Sequence, residues 1–76
     1  MKASEPSELH VVCVDFADAE RLGQALRKGA LVRVTLNGDR QANRRIVDFC
    51  SGAAFVLDRR FERLADDTYL VHPTKG

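Results

Sequence analysis

Seventy-six residues are enough for one domain, which buries only about 60–65% of the surface its unfolded chain exposes, so association is expected to supplement its core. Twelve basic and eleven acidic residues leave a formal charge of +1, which argues against a dedicated nucleic-acid binder. No apolar run approaches the ~18 residues of a membrane span, and the first eight residues lack the hydrophobic stretch of a signal peptide, so a soluble, cytoplasmic chain is expected.

Met1–Glu8 is polar, contains Pro6 and follows neither a helical nor a strand period. A disordered tail is expected there, without the apolar face that an interfacial membrane helix needs. Leu9–Val14 is a valine-rich, nearly continuous apolar run, which predicts a strand buried on both faces. His10 has no Cys, His or carboxylate at ligand spacing and reads as structural. Asp15 is the predicted N-cap of a helix running to about Lys28, with Asp18 and Glu20 in its first turn. Its apolar face is Ala19, Leu22, Ala25 and Leu26, and Gly29 supplies the left-handed residue just past its end.

Leu31–Leu36 alternates as a second strand, with Val32, Val34 and Leu36 on one side and Leu31, Arg33 and Thr35 on the other. The strand, helix, strand order predicts a right-handed crossover between parallel strands. Asn37-Gly38-Asp39 is a turn, and Asp39 is the expected cap of the next helix.

That helix includes Arg45–Leu57, the stretch around which the chain is organised. At about 100° per residue, Ile46, Phe49, Cys50, Ala53, Val56 and Leu57 share one stripe, bordered by Val47 and Ala54, and are expected to cover the core. The opposite side carries Arg45, Asp48, Gly52 and Phe55. Glycine inside a helix costs roughly 1 kcal/mol against alanine. Gly52 therefore reads either as a point of close approach by a partner or as a weak spot, with Phe55 lying along a neighbouring strand. Arg44 and Arg45 stand four and three residues before Asp48 and could pair with it.

After Asp58 the period changes. Phe61–Leu64 and Thr68–His72, separated by Ala65-Asp66-Asp67, predict an antiparallel hairpin that Pro73 ends, with Thr74–Gly76 as a tail. The fold class is α/β, more closely an α+β two-layer arrangement: a β-α-β-α-β-β mixed sheet with two helices, expected to be dimeric. The core domain spans residues 9–73.

No glycine-rich phosphate loop, nucleophile set or cluster of metal ligands is present in the sequence, so it nominates no catalytic residue, no metal and no cofactor. Cys13 and Cys50 sit in apolar settings and read as buried free thiols. Asp66-Asp67 reads as a solvated turn. Arg40, Arg44 and Arg45 around the second helix and Arg59, Arg60 and Arg63 entering the hairpin read either as solubilising charges or as a positive rim around a groove for an acidic peptide. RNA is the weaker reading, because Tyr69, Phe61 and Phe55 do not form the paired stacking motifs of an RNA-binding sheet.

Arg45-Ile46-Val47-Asp48-Phe49, then Ser51-Gly52-Ala53 and Leu57-Asp58, with Tyr69-Leu70-Val71-His72-Pro73 closing the domain, resembles the core of the SepF family of bacterial and archaeal cell-division proteins from about Val11 to Pro73. The resemblance implies a non-enzymatic adaptor that dimerises, assembles further in some members, and binds the C-terminal peptide of the tubulin-like FtsZ in septum assembly. It implies a role for Gly52 in helix-mediated association, which places Asp48, Phe55 and Arg45 at the same interface. It also implies that Arg63 and Tyr69, with Phe61 beside them, hold the peptide.

The family's amphipathic membrane helix has no counterpart in these residues, so no direct membrane binding is expected of them. Asn37-Gly38-Asp39 replaces a customary apolar residue in a segment one residue shorter than usual, and Asp58-Arg59-Arg60 replaces a glycine after the Leu57 position. The alternatives to an FtsZ-binding adaptor are a SepF-like paralogue that self- or co-assembles without binding FtsZ, and a small nucleic-acid-binding module.

Overall fold

The computed structural model describes residues 8–73. The expected tails fall largely outside it, in residues 1–7 and 74–76. Along the chain lie β1 (Glu8–Cys13), a single 3-10 turn (Phe16–Asp18), α1 (Ala19–Arg27), β2 (Leu31–Leu36), α2 (Arg40–Val56), β3 (Phe61–Ala65) and β4 (Thr68–Val71). The sheet order is β1-β2-β4-β3, with β1 parallel to β2 and the other two pairings antiparallel. The β-α-β-α-β-β expectation stands. Leu22 and Leu26 of α1 and Ile46, Cys50 and Ala54 of α2 join Val11, Cys13, Val32, Val34, Leu36 and Val71 in one core, so both helices cover the same face of the sheet.

Local chemistry sets the ends of these elements. The Asp15 carboxylate accepts from the Ala17 N–H at 2.9 Å, and Asp18 reaches back to accept from Val14 and Asp15 at 2.8 and 3.2 Å. These bonds satisfy donors that a helix start leaves open. The first turn is drawn into 3-10 form, so α1 proper begins at Ala19. Gly29, at φ +81°, ends the helix in the left-handed conformation anticipated for it. Asp39 caps α2 by accepting from the Ala42 N–H at 2.8 Å. A Cβ on Gly38 would lie 1.9 Å from the Val14 carbonyl oxygen, so the turn into α2 admits no side chain there.

Five expectations are corrected. β1 is not buried on both faces: Val11 and Cys13 are buried, whereas His10 and Val12 look out from the other side of the sheet, where no second layer packs among the described residues. The strand also starts one residue early, with the Glu8 carboxylate accepting from Arg33 Nε at 2.6 Å.

On α2, the buried residues are Ile46, Cys50 and Ala54, four apart, so the core-facing line is rotated toward Ala54 from the expected stripe. At about 100° per residue, Val56 then lies roughly 120° from the centre of that line, and it is 79% exposed. Leu57 is past the helix end and is also exposed.

Asp48 makes no ion pair with Arg44 or Arg45 among the described residues; the side chain of Arg45 turns instead onto the Phe16 ring, 4.4 Å from its centroid.

Arg59, counted among the surface arginines, is 6% exposed. Its Nε donates to the His72 carbonyl at 2.7 Å, and its two terminal nitrogens donate to the carbonyls of Leu26 and Ala30. Burial pulls its pKa below the ordinary arginine value, and the three carbonyls replace the lost water.

Asp58 brings the chain to that position. It adopts φ +60°, while its N–H donates to Phe55 and the Arg59 N–H to Ala54, the paired bonds of a left-handed helix stop. The aspartate thus takes the backbone role usually given to glycine.

Candidate partner-binding surfaces

The β3/β4 hairpin carries the first candidate site. Arg63 is register-paired with Tyr69, and Phe61 with Val71, so the side chains of Phe61, Arg63 and Tyr69 share one face, the face that carries the core farther in. Phe61 and Tyr69 stack with ring centroids 5.1 Å apart and planes within 5°. Both rings pack on the core and remain partly open, while Arg63 is exposed beyond them. The Arg63 guanidinium donates to the Asp66 carboxylate at 2.7 Å and, through Nε, to the Ala65 carbonyl at 3.4 Å.

The turn is tighter than the sequence indicated. β3 extends through Ala65, leaving Asp66-Asp67 between the strands, and the ladder steps from Arg63↔Tyr69 to Ala65↔Thr68. Leu64 is therefore the extra residue of a bulge, and it is exposed.

The expected positive rim does not form as one unit. Arg59 is inside. Arg60 lies 3.8 Å from Glu62, whose carboxylate also meets His72 Nε2 at 2.8 Å, and alternation puts Glu62 on the uncovered sheet face, opposite Arg63. Arg63 is left as the arginine beside the stacked rings.

The second candidate site is the outer side of α2. Arg45, Asp48, Gly52 and Phe55 recur along one exposed helix line, and Phe55 is 86% exposed. Outside its own helix backbone, nothing among the described residues lies within 4 Å of the position a Cβ on Gly52 would take, so no contact between described elements accounts for the glycine. Beside it, an apolar groove of about 530 Å³ runs between the helices, lined among others by Gly23, Leu26, Phe49, Gly52, Ala53 and Val56.

Val56 belongs to this surface, although periodicity assigned it to the core. Its signal was ambiguous, since it lies between the apolar stripe and Gly52 on the helix circumference. Phe49 closes one wall of the groove: its Cζ is 3.5 Å from where a Gly23 Cβ would stand, and its ring meets Phe16 edge-on at 6.3 Å.

Neither cysteine marks a reactive centre. Burial, and then the neighbouring Cys13, push the Cys50 thiol up to about 12, while burial raises Cys13 as well. Such thiols carry little thiolate at neutral pH. Both are free, as the sequence suggested. Among the described residues there is no grouping of three or more side chains suited to a metal, and no helix long and apolar enough to cross a membrane.

The profile of the family described as "Cell division protein SepF" matches residues 11–75, nearly the whole chain. The chain belongs to the SepF family. Its similarity to the cell division protein SepF of Mycobacterium leprae (strain Br4923) is 33% identity over 60 residues, covering 78% of this chain and 29% of that protein. The corresponding protein of Mycobacterium tuberculosis (strain H37Rv) gives 33% over 60 residues, with 78% and 28% covered. The chain thus spans less than a third of the length of these curated relatives. A SepF-like protein from Pyrococcus furiosus shares the fold, with a TM-score of 0.78 at 17% identity, over 96% of this chain and 93% of that one.

Proposed function

We propose that this chain is a non-enzymatic cell-division adaptor that pairs through α2 and holds the C-terminal peptide of FtsZ on the β3/β4 hairpin, at the cytoplasmic division site. The observation that carries the peptide site is the placement of Arg63 directly opposite Tyr69, with Phe61 stacked on the same ring. A cation beside a flat apolar platform suits a peptide that offers one carboxylate and one apolar side chain. Membership of the SepF family supports the division role.

A self-associating paralogue that does not bind FtsZ is favoured by a different observation. The largest apolar exposure lies on α2, at Phe55 and Val56, rather than at the hairpin.

Calorimetric titration with the FtsZ C-terminal peptide separates the readings. Arg63→Glu is expected to abolish binding with the thermal midpoint nearly unchanged, a loss of about thirtyfold or more for a true anchor. Affinity within twofold of wild type would remove Arg63 and Tyr69 from the site. No binding by the wild type would favour the paralogue, and an RNA oligomer titrated in parallel tests the nucleic-acid reading.

A further inference from the structure

We infer that Asp66 is a built-in competitor for the peptide carboxylate at Arg63, so that an acidic peptide enters the hairpin site by displacing an internal ion pair. The inference rests on the reading of the hairpin as the peptide site and adds to it a residue that sets affinity and selects for negative charge. Three features carry it. The Asp66 carboxylate sits 2.7 Å from one terminal nitrogen of the Arg63 guanidinium and partly neutralises the charge that a ligand carboxylate would seek.

Asp66 is also weakly held. Its side chain is 98% exposed and Arg63 is 60% exposed, so the pair lies in the high-dielectric regime where an ion pair adds little to stability and opens readily. Asp18 provides the contrast: its carboxylate also pairs with an arginine, Arg21, but is fixed by the N–H groups of Val14 and Asp15. Among the described residues nothing comparable fixes Asp66, whose carboxylate meets only Arg63.

Third, the backbone keeps the competitor in place. The bulge at Leu64 and the two-residue turn return the chain beside Arg63, whose Nε also reaches the Ala65 carbonyl. A neutral peptide carbonyl is a weaker acceptor than the Asp66 carboxylate and does not displace it, whereas a peptide carboxylate exchanges one ion pair for another and adds its contact with Tyr69 and Phe61. The guanidinium is thus reserved for an anionic ligand.

Asp67 provides the internal control. It carries the same charge one residue along, but its carboxylate accepts from the Thr68 hydroxyl at 3.0 Å and does not pair with Arg63. Removing either carboxylate lowers the general repulsion of an acidic peptide, and only Asp66 frees the arginine. In titrations with the FtsZ C-terminal peptide, Asp66→Asn is expected to tighten binding by about two- to fivefold beyond the change produced by Asp67→Asn. The thermal midpoints of both variants should stay close to wild type, since both side chains lie on an exposed turn.

Arg63→Glu is measured beside them. If it abolishes binding while Asp66→Asn and Asp67→Asn act equally, the competition is overturned and the peptide site stands. If Arg63→Glu leaves affinity unchanged, the peptide site itself fails and the competition falls with it.

Discussion

Arg59 shows how far a single residue can depart from what its charge suggests. A guanidinium paired with no carboxylate among the described residues is stable inside this fold because its fork matches three carbonyls, one of them at the C-terminal turn of α1, where the helix dipole favours a cation. Arg59→Met keeps much of the volume and removes every donor. It is expected to cost about 2–4 kcal/mol in urea unfolding, with Arg59→Lys recovering part of the loss. A change below about 0.5 kcal/mol would show that the three carbonyls are satisfied without the arginine.

Asp18 sets a pH dependence at the same scale. The Val14 N–H, then the Arg21 guanidinium and the Asp15 N–H, hold its carboxyl below the ordinary aspartate value. A folded-state pKa below the unfolded one contributes stability that is complete above the unfolded value and is lost as the pH falls through the folded one. Asp18→Asn should therefore flatten the fall in stability below about pH 4. Urea midpoints measured across the acid range check this, and an unchanged slope would assign the acid sensitivity to other carboxylates.

At the scale of elements, the order of strands and helices was legible because each carries its own local signal. Asp15, Gly29 and Asp39 mark ends through hydrogen bonds and backbone preferences that span only a few residues. What was not legible depends on how the elements meet one another. The rotation of α2 follows from how Ile46, Cys50 and Ala54 meet the sheet, and moving the core line toward Ala54 put Val56 outside. The exposure of Val12 reflects a sheet covered on one face only, and the bulge at Leu64 comes from the pairing of β3 with β4. Of the candidate site residues, Arg63 opposite Tyr69 followed from hairpin register, whereas the contact of Arg63 with Asp66 depended on the tighter turn.

Gly52 gives the sharpest test of α2. With no atom of another described element within 4 Å of its Cβ position, Gly52→Ala should stabilise the isolated chain by about 0.5–1 kcal/mol through helix propensity alone. If the helix packs closely on a partner there, the same change weakens association. Unfolding at low protein concentration together with sedimentation equilibrium measures both quantities. Added stability with unchanged association would make Gly52 a weak spot and nothing more.

The whole molecule is a thin, one-sided sandwich. Helices cover one sheet face, and part of the outer edge of β1 is closed by its own chain, with Arg21 donating to the Val12 carbonyl and Asp18 accepting from the Val14 N–H. Those contacts blunt strand addition at that end of the edge. The helix side remains apolar around Phe55, Val56 and the adjoining groove, and the proposed pairing would cover that surface. Light scattering at tens of micromolar is expected to give the mass of a dimer or larger assembly, and a monomeric mass would contradict pairing through α2.

The most direct test of the adaptor reading is a nuclear magnetic resonance titration of the ¹⁵N-labelled chain with the FtsZ C-terminal peptide. The account predicts saturable shifts of the backbone amides from Phe61 to Tyr69 and of the Arg63 Nε–H, with the amides of α1 left in place. Shifts confined to α2, or none at millimolar peptide, would contradict it.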